Sequence, residues 1–201
     1  MAVSERRLAA ILVADIVGYS RLTETDEPGT LTAIRQLRSE VIDPLIAEHK
    51  GRVFKLMGDG IIVEFRSVVD AVSCAVAVQK KAAELQAEVA PHQRIVFRVG
   101  INLGDVVVDD DDLLGDGVNI AARLQQLCDP GGVLISGTAF DHLQGKLGLP
   151  IDHAGNHRVK NIARPVRTYR VRLDGGGPPW RLRLRGKRNF ALQYYFRERN
   201  M

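Results

Sequence analysis

The segment Arg52-Val53-Phe54-Lys55-Leu56-Met57-Gly58-Asp59-Gly60-Ile61-Ile62-Val63-Glu64-Phe65 consists of two short apolar runs around Gly-Asp-Gly. Asp-Gly readily supplies the positive φ angles of a tight turn, so Arg52–Met57 and Ile61–Phe65 read as a β-hairpin. Upstream, Leu8–Asp15 (LAAILVAD) is a short apolar run ending in a carboxylate and reads as a buried strand. Between them, Leu31, Ile34, Leu37, Val41, Ile42, Leu45 and Ile46 recur at helical spacing over Pro28–His49. Pro28 is tolerable in a first turn, Pro44 should bend the helix near its end, and Gly51 stops it.

Downstream, Ser67 and Asp70 form a capping-box pattern ahead of a second helix, Val68–Glu88. Val96–Val108 (VFRVGINLGDVVV) reads as two strands around Gly104, followed by an acidic loop, Asp109–Asp112. A third helix is expected over Val118–Cys128, ended by Pro130-Gly131-Gly132. Val133–Ile135 is a further strand, Ser136 caps a short helix to Leu143, and Arg158–Ile162 and Val166–Arg172 are the last strand candidates. The order strand, helix, strand, strand, helix, strand is an α+β fold with a ferredoxin-like βαββαβ core and a C-terminal αβ extension.

Composition narrows the classes. The chain has 201 residues, 45% of them hydrophobic and 26% charged, as in an ordinary globular domain. No run approaches the ~18 uninterrupted apolar residues of a membrane span, and no signal peptide is expected. Cys74 and Cys128 are far apart, which disfavours a disulfide framework or zinc site and fits a cytoplasmic location. The net charge of +4 is unevenly spread. Residues 176–201 hold seven of the 28 basic residues and one of the 24 acidic ones, leaving 21 against 23 elsewhere. The body is slightly acidic, so no nucleic-acid partner is expected. We divide the chain into a domain at 5–173 and a linker with basic tail at 174–201. The linker begins Asp174-Gly175-Gly176-Gly177-Pro178-Pro179. The tail, with Trp180-Arg181-Leu182-Arg183-Leu184-Arg185 and Tyr194-Tyr195-Phe196, reads as unstructured or as the start of a truncated segment. Its alternation is compatible with contact to membrane headgroups.

A few residues stand out chemically. Asp15 ends a buried strand, where a charge is costly unless paired or metal-bound. Asp59 lies at a hairpin tip that could fold back beside it, and two such carboxylates offer hard ligands for Mg²⁺ or Mn²⁺. Gly18 would let the backbone approach a phosphate closely. Asn119 and Arg123, four residues apart, share a helix face, and the Arg123 guanidinium suits phosphate oxygens. Taken singly, each has a plainer reading: a strand-end cap, a turn aspartate, a solvated helix face. The acidic run lacks the spacing of a calcium loop, and the scattered histidines form no ligand pattern.

Together the pattern is more specific. Ala14-Asp15-Ile16-Val17-Gly18-Tyr19-Ser20, Lys55-Leu56-Met57-Gly58-Asp59-Gly60 and the block Asp112-Leu113-Leu114-Gly115-Asp116-Gly117-Val118-Asn119-Ile120-Ala121-Ala122-Arg123-Leu124 resemble class III adenylate and guanylate cyclases. The blocks come in that family's order, and the resemblance covers residues 5–172. It implies that Asp15, Asp59 and the Ile16 carbonyl bind two metal ions, Mg²⁺ or Mn²⁺. It implies that Lys55 and Asp112 read the base, that Asn119 orients the ribose, and that Arg123 stabilises the transition state. Lys160 is placed on the terminal phosphates, with Arg164 as its competitor. The implied activity is conversion of ATP to cyclic AMP and pyrophosphate in a homodimer with shared sites. Adenine offers an acceptor at N1 and a donor at N6, suiting Lys55 and Asp112; guanine reverses both. The rivals are a silent cyclase-like domain that only binds nucleotide or a partner, and a GTP-using cyclase. A diguanylate cyclase would show a Gly-Gly-Asp/Glu-Glu-Phe loop, which Gly58-Asp59-Gly60 is not.

Overall fold

The computed structural model of the chain describes residues 5–109, 112–143, 145–159, 162 and 164–173. Strand β1 (Glu5–Ile16) is followed by helix α1 (Tyr19–Leu37), a π-helical turn (Arg38–Ile42) and α2 (Asp43–Glu48). The hairpin β2 (Arg52–Met57) and β3 (Gly60–Phe65) leads into α3 (Val68–Leu85) and β4 (Phe97–Asp109). Then come β5 (Asp112–Leu114), α4 (Asp116–Leu127), β6 (Val133–Ser136), α5 (Gly137–Leu143), β7 (Ile151–His157) and β8 (Val166–Val171). The sheet order is β2-β3-β1-β4-β6-β8-β7, with β5 paired onto β4. The first four of these strands are all antiparallel neighbours, which is the ferredoxin-like core expected from the sequence. The extension joins it through the parallel pairing of β4 with β6.

Alternation along β1 assigns the two faces of the sheet. Ala10, Leu12, Ala14 and Ile16 join the large core formed with α1, α2, α3 and α5. Ala9, Ile11 and Val13 face the other way, with Ile62, Val106 and Ala121 of α4. On that face β4 presents Gly100, Asn102 and Gly104, and the helix sits very close. A Cβ on Gly100 would fall on the Gln125 amide nitrogen and the Ala121 carbonyl oxygen. Asn102 locks the helix start, donating from Nδ2 to the Gly117 carbonyl at 3.0 Å.

Several expectations need correction. Val96–Val108 is one continuous strand rather than two, because Gly104 serves close packing: a Cβ there would lie 3.2 Å from Gly117 Cα. Of the expected acidic loop Asp109–Asp112, Asp109 and Asp112 are strand residues, register partners of β4 and β5, and residues 110 and 111 lie outside the described residues. The first helix begins at Tyr19, nine residues earlier than Pro28. Asp26 departs from helical angles (φ −156°, ψ 89°), and its Oδ1 accepts from the Gly29 amide at 3.0 Å, recapping the chain beside Pro28. Pro44 falls in the first turn of α2, and the π-helical turn just before it absorbs the missing proline N–H. The seventh strand lies at Ile151–His157 rather than Arg158–Ile162; it is an edge strand held by β8, without an apolar alternation to announce it. Ser67 does cap α3, accepting from the Val69 amide at 3.1 Å, and Ser136 accepts from the Ala139 amide at 3.2 Å. No helix among the described residues is long and apolar enough to cross a membrane.

Candidate active site

β1 ends beside the hairpin because Asp15 is the register partner of Gly60. This sets the Asp15 carboxyl group beside that of Asp59. Burial, the hydrogen bond to Asp59 and the Asp59 charge push Asp15 up from 3.8 to about 6, against the opposing pull of Arg98 and the Ile16 amide. Two carboxylates at such range cannot both ionise cheaply without a cation between them.

Two further residues touch Asp15, and neither was picked out in the sequence. Gln125 of α4 donates from Nε2 to Asp15 Oδ2 at 3.2 Å. Arg98, the cross-strand partner of Asp15 on β4, brings Nη2 to the same oxygen at 3.5 Å. The Arg98 Nε is buried with no hydrogen-bond partner. A signal for Arg98 existed: it is the one charge in Val96–Leu103, a largely apolar run whose only other polar side chain is Asn102. Gln125 carried less, since it is 5% exposed beside Ala121 and Leu124, both fully buried, on the inward helix face.

The remaining candidates spread around this pair. Ile16 is buried at the strand end. Gly18 takes a left-handed conformation (φ 68°) at the start of α1, where the chain turns from strand to helix. Lys55 is exposed on β2 and is the partner of Ile62, which in turn pairs with Val13, so it lies on the Asp15 face of the sheet. Asp112 begins β5 at the far end of β4. Asn119 is exposed and Arg123 half-buried on the outer face of α4, opposite Ala121 and Gln125. Arg123 Nη1 donates to Gln126 Oε1 at 2.9 Å. The chain thus unites Asp15, Ile16 and Asp59 but leaves Asn119 and Arg123 pointing away from them. Lys160 and the tail from 174 lie outside the described residues.

The pattern of the family described as Adenylate and Guanylate cyclase catalytic domain matches residues 2–172. The chain belongs to this family. A solved structure described as an adenylate/guanylate cyclase/hydrolase from Silicibacter pomeroyi superposes with a TM-score of 0.78 at 40% identity, covering 85% of this chain and 99% of that one. The adenylyl cyclase CyaB from P. aeruginosa superposes with a TM-score of 0.74 at 26% identity, covering 87% and 100%. A Rhizobium meliloti (strain 1021) protein named "Putative adenylate cyclase 3" is 51% identical over 164 residues, covering 82% of this chain. The cyclase domain spans only 28% of that relative's length, and 34% of a Streptomyces coelicolor protein named "Adenylate cyclase".

The donor set of this cyclase domain fits divalent cations. Among the described residues no group of three or more His, Cys, Asp or Glu is arranged to hold a metal ion by itself, so Asp15 and Asp59 are the two carboxylates to consider.

Proposed function

We propose that the domain converts ATP to 3′,5′-cyclic AMP and pyrophosphate at sites shared between two copies of the chain. The observation that carries this reading is the contact of Asp15 with Asp59 at the strand end, a pair better held by cations than by a proton. Asp15, Asp59 and the Ile16 carbonyl would hold two divalent ions, Mg²⁺ or Mn²⁺. When bound, such ions acidify the ribose 3′-hydroxyl and offset the charge of the triphosphate.

The protein's part is positioning and charge stabilisation. The 3′-oxygen forms a bond to the α-phosphorus, the bond to the bridging oxygen breaks, and pyrophosphate leaves; the hydroxyl proton passes to solvent. Gly18 gives the triphosphate a close approach to the backbone, and Lys160 takes its terminal phosphates. Lys55 donates to adenine N1 and Asp112 accepts from N6. Asn119 orients the ribose, and Arg123 faces the charge that develops on the α-phosphoryl oxygens.

Asn119 and Arg123 lie on the outer face of α4, away from Asp15. A second copy, related by a two-fold axis, brings that face to the first copy's carboxylates and makes two equivalent sites. The test is purified full chain with ATP or GTP and each metal in turn, with product identified by mass spectrometry. Metal-dependent cyclic AMP from ATP is the expected result. Cyclic GMP as main product would reassign the base, and nucleotide binding without any turnover would favour a silent cyclase-like domain.

A further inference from the structure

Behind the carboxylate pair, on the opposite face of the sheet, lies a cavity of about 140 Å³. Leu12, Ile34, Ile42, Val78 and Phe97 contribute to its apolar walls, and the turn Gly58-Asp59-Gly60 closes one end. A mostly apolar space of this size takes a molecule about as large as benzene. One cationic side chain also lines it: Arg38, the first residue of the π-helical turn. Its Nη2 reaches both Asp43 carboxylate oxygens, each at a long 3.4 Å, while its Nε is buried without a partner. A buried donor left unmade carries a penalty that an entering acceptor would relieve.

We propose that this cavity is a binding site for a small monocarboxylate with a ring-sized apolar body, the carboxylate meeting Arg38 and the body filling the space between α1, α3 and the sheet. The two requirements are independent. Away from Arg38 and the Asp59 turn the walls are apolar and offer a water no polar partners, which favours an apolar body there. The unpaired Nε demands an acceptor, and a charged acceptor makes the stronger bond to a guanidinium. Ile42 and Arg38 both belong to the π-helical turn, a local irregularity often found at functional positions. The site is separate from the nucleotide reading: Asp15, Gln125 and α4 all lie on the other face. The elements it shares with that reading are Ile16 and the Asp59 turn, so an occupant would bear on the position of the Asp59 carboxylate.

The test is titration of isotope-labelled full chain with benzoate, and in parallel with toluene, followed by amide shifts. We expect benzoate to saturate at one molecule per chain and to move Ile34, Ile42, Val78 and Gly58. Arg38→Met should weaken it by about tenfold, and toluene should bind more weakly than benzoate. Val78→Phe should fill the space and abolish binding; Arg38→Met, at a half-exposed side chain, keeps the test valid if Val78→Phe does not fold. Shifts confined to α4, no saturable binding, or equal affinity in Arg38→Met would overturn the assignment. None of these readouts needs cyclase turnover, so they stand apart from the fate of the cyclase reading.

Discussion

The Asp15 end of the sheet and the outer face of α4 are built on opposite plans. Asp15 is held by several groups of its own chain, through Gln125, Arg98, Asp59 and the Ile16 amide, while its side chain stays partly exposed. On α4, Asn119 is exposed and Arg123 is only half-buried, held to a neighbour on the same helix. Carboxylates of like charge must be organised before a cation arrives, and only surrounding structure can do that. A guanidinium that meets charge developing on a substrate can wait in solvent until a partner surface covers it. In our reading the first half-site is complete within a chain, whereas the second is completed by association.

The largest effects should come from breaking either half. Asp15→Ala or Asp59→Ala should lower cyclic AMP formation by about a thousandfold or more, with circular dichroism unchanged. Arg123→Ala should cost about a hundredfold. Equal mixtures of Asp15→Ala and Arg123→Ala chains should recover about a quarter of wild-type activity, because half the dimers are mixed and each has one intact site. No recovery, in samples shown by mass to contain mixed dimers, would place both halves of the site in one chain.

Next in size is the grip of α4 on the sheet. Gly100→Ala would drive a methyl group into the α4 backbone at Gln125 and Ala121. We expect a loss of about 3 kcal/mol and a thermal midpoint lower by ~10 °C. A midpoint unchanged in calorimetry would mean the helix shifts freely and does not fix Gln125.

Smaller effects concern the Asp15 proton. Asp15 titrates near 6 when folded against 3.8 ordinarily, so folding favours its protonated form. Its contribution to metal-free stability is fully present below about pH 4 and is lost as pH rises to about 6, by at most about 3 kcal/mol. Denaturant titrations of the metal-free protein should show this slope, and Asp15→Asn should flatten it. The smallest change follows from Arg98, whose charge opposes the upward shift. Arg98→Met should move the acid limb of metal binding upward by less than about one pH unit. A downward move would remove Arg98 from the electrostatics of the pair.

The core fold was legible because its signals are local. The Gly58-Asp59-Gly60 turn, the Ser67 cap and the apolar run at Leu8–Asp15 each fix an element through their own residues. Gly104 was misread because its reason is a helix distant in sequence; a glycine that makes room for Gly117 looks the same on paper as one that makes a turn. Ile151–His157 was missed because pairing with β8, not apolar alternation, makes it a strand. In the site, Asp15 and Asp59 could be singled out as carboxylates at a strand end and a hairpin tip. Arg98 stood out only as a lone charge in its strand and Gln125 not at all, since their importance is a matter of which oxygen they touch across the sheet.

Strand β4 has a consequence of scale. It runs unbroken from Arg98, beside Asp15, to Asp109, the partner of Asp112. At about 3.3 Å per residue that stretch measures roughly 36 Å. A single strand therefore acts as a ruler: it keeps the backbone of Asp112 a fixed span from the carboxylates of its own chain. In a two-fold pair, two such rulers laid side by side would set the separation of the two reaction centres. Insertions in surface loops would leave that separation untouched, while a deletion within β4 would shorten it and pull both centres out of alignment together.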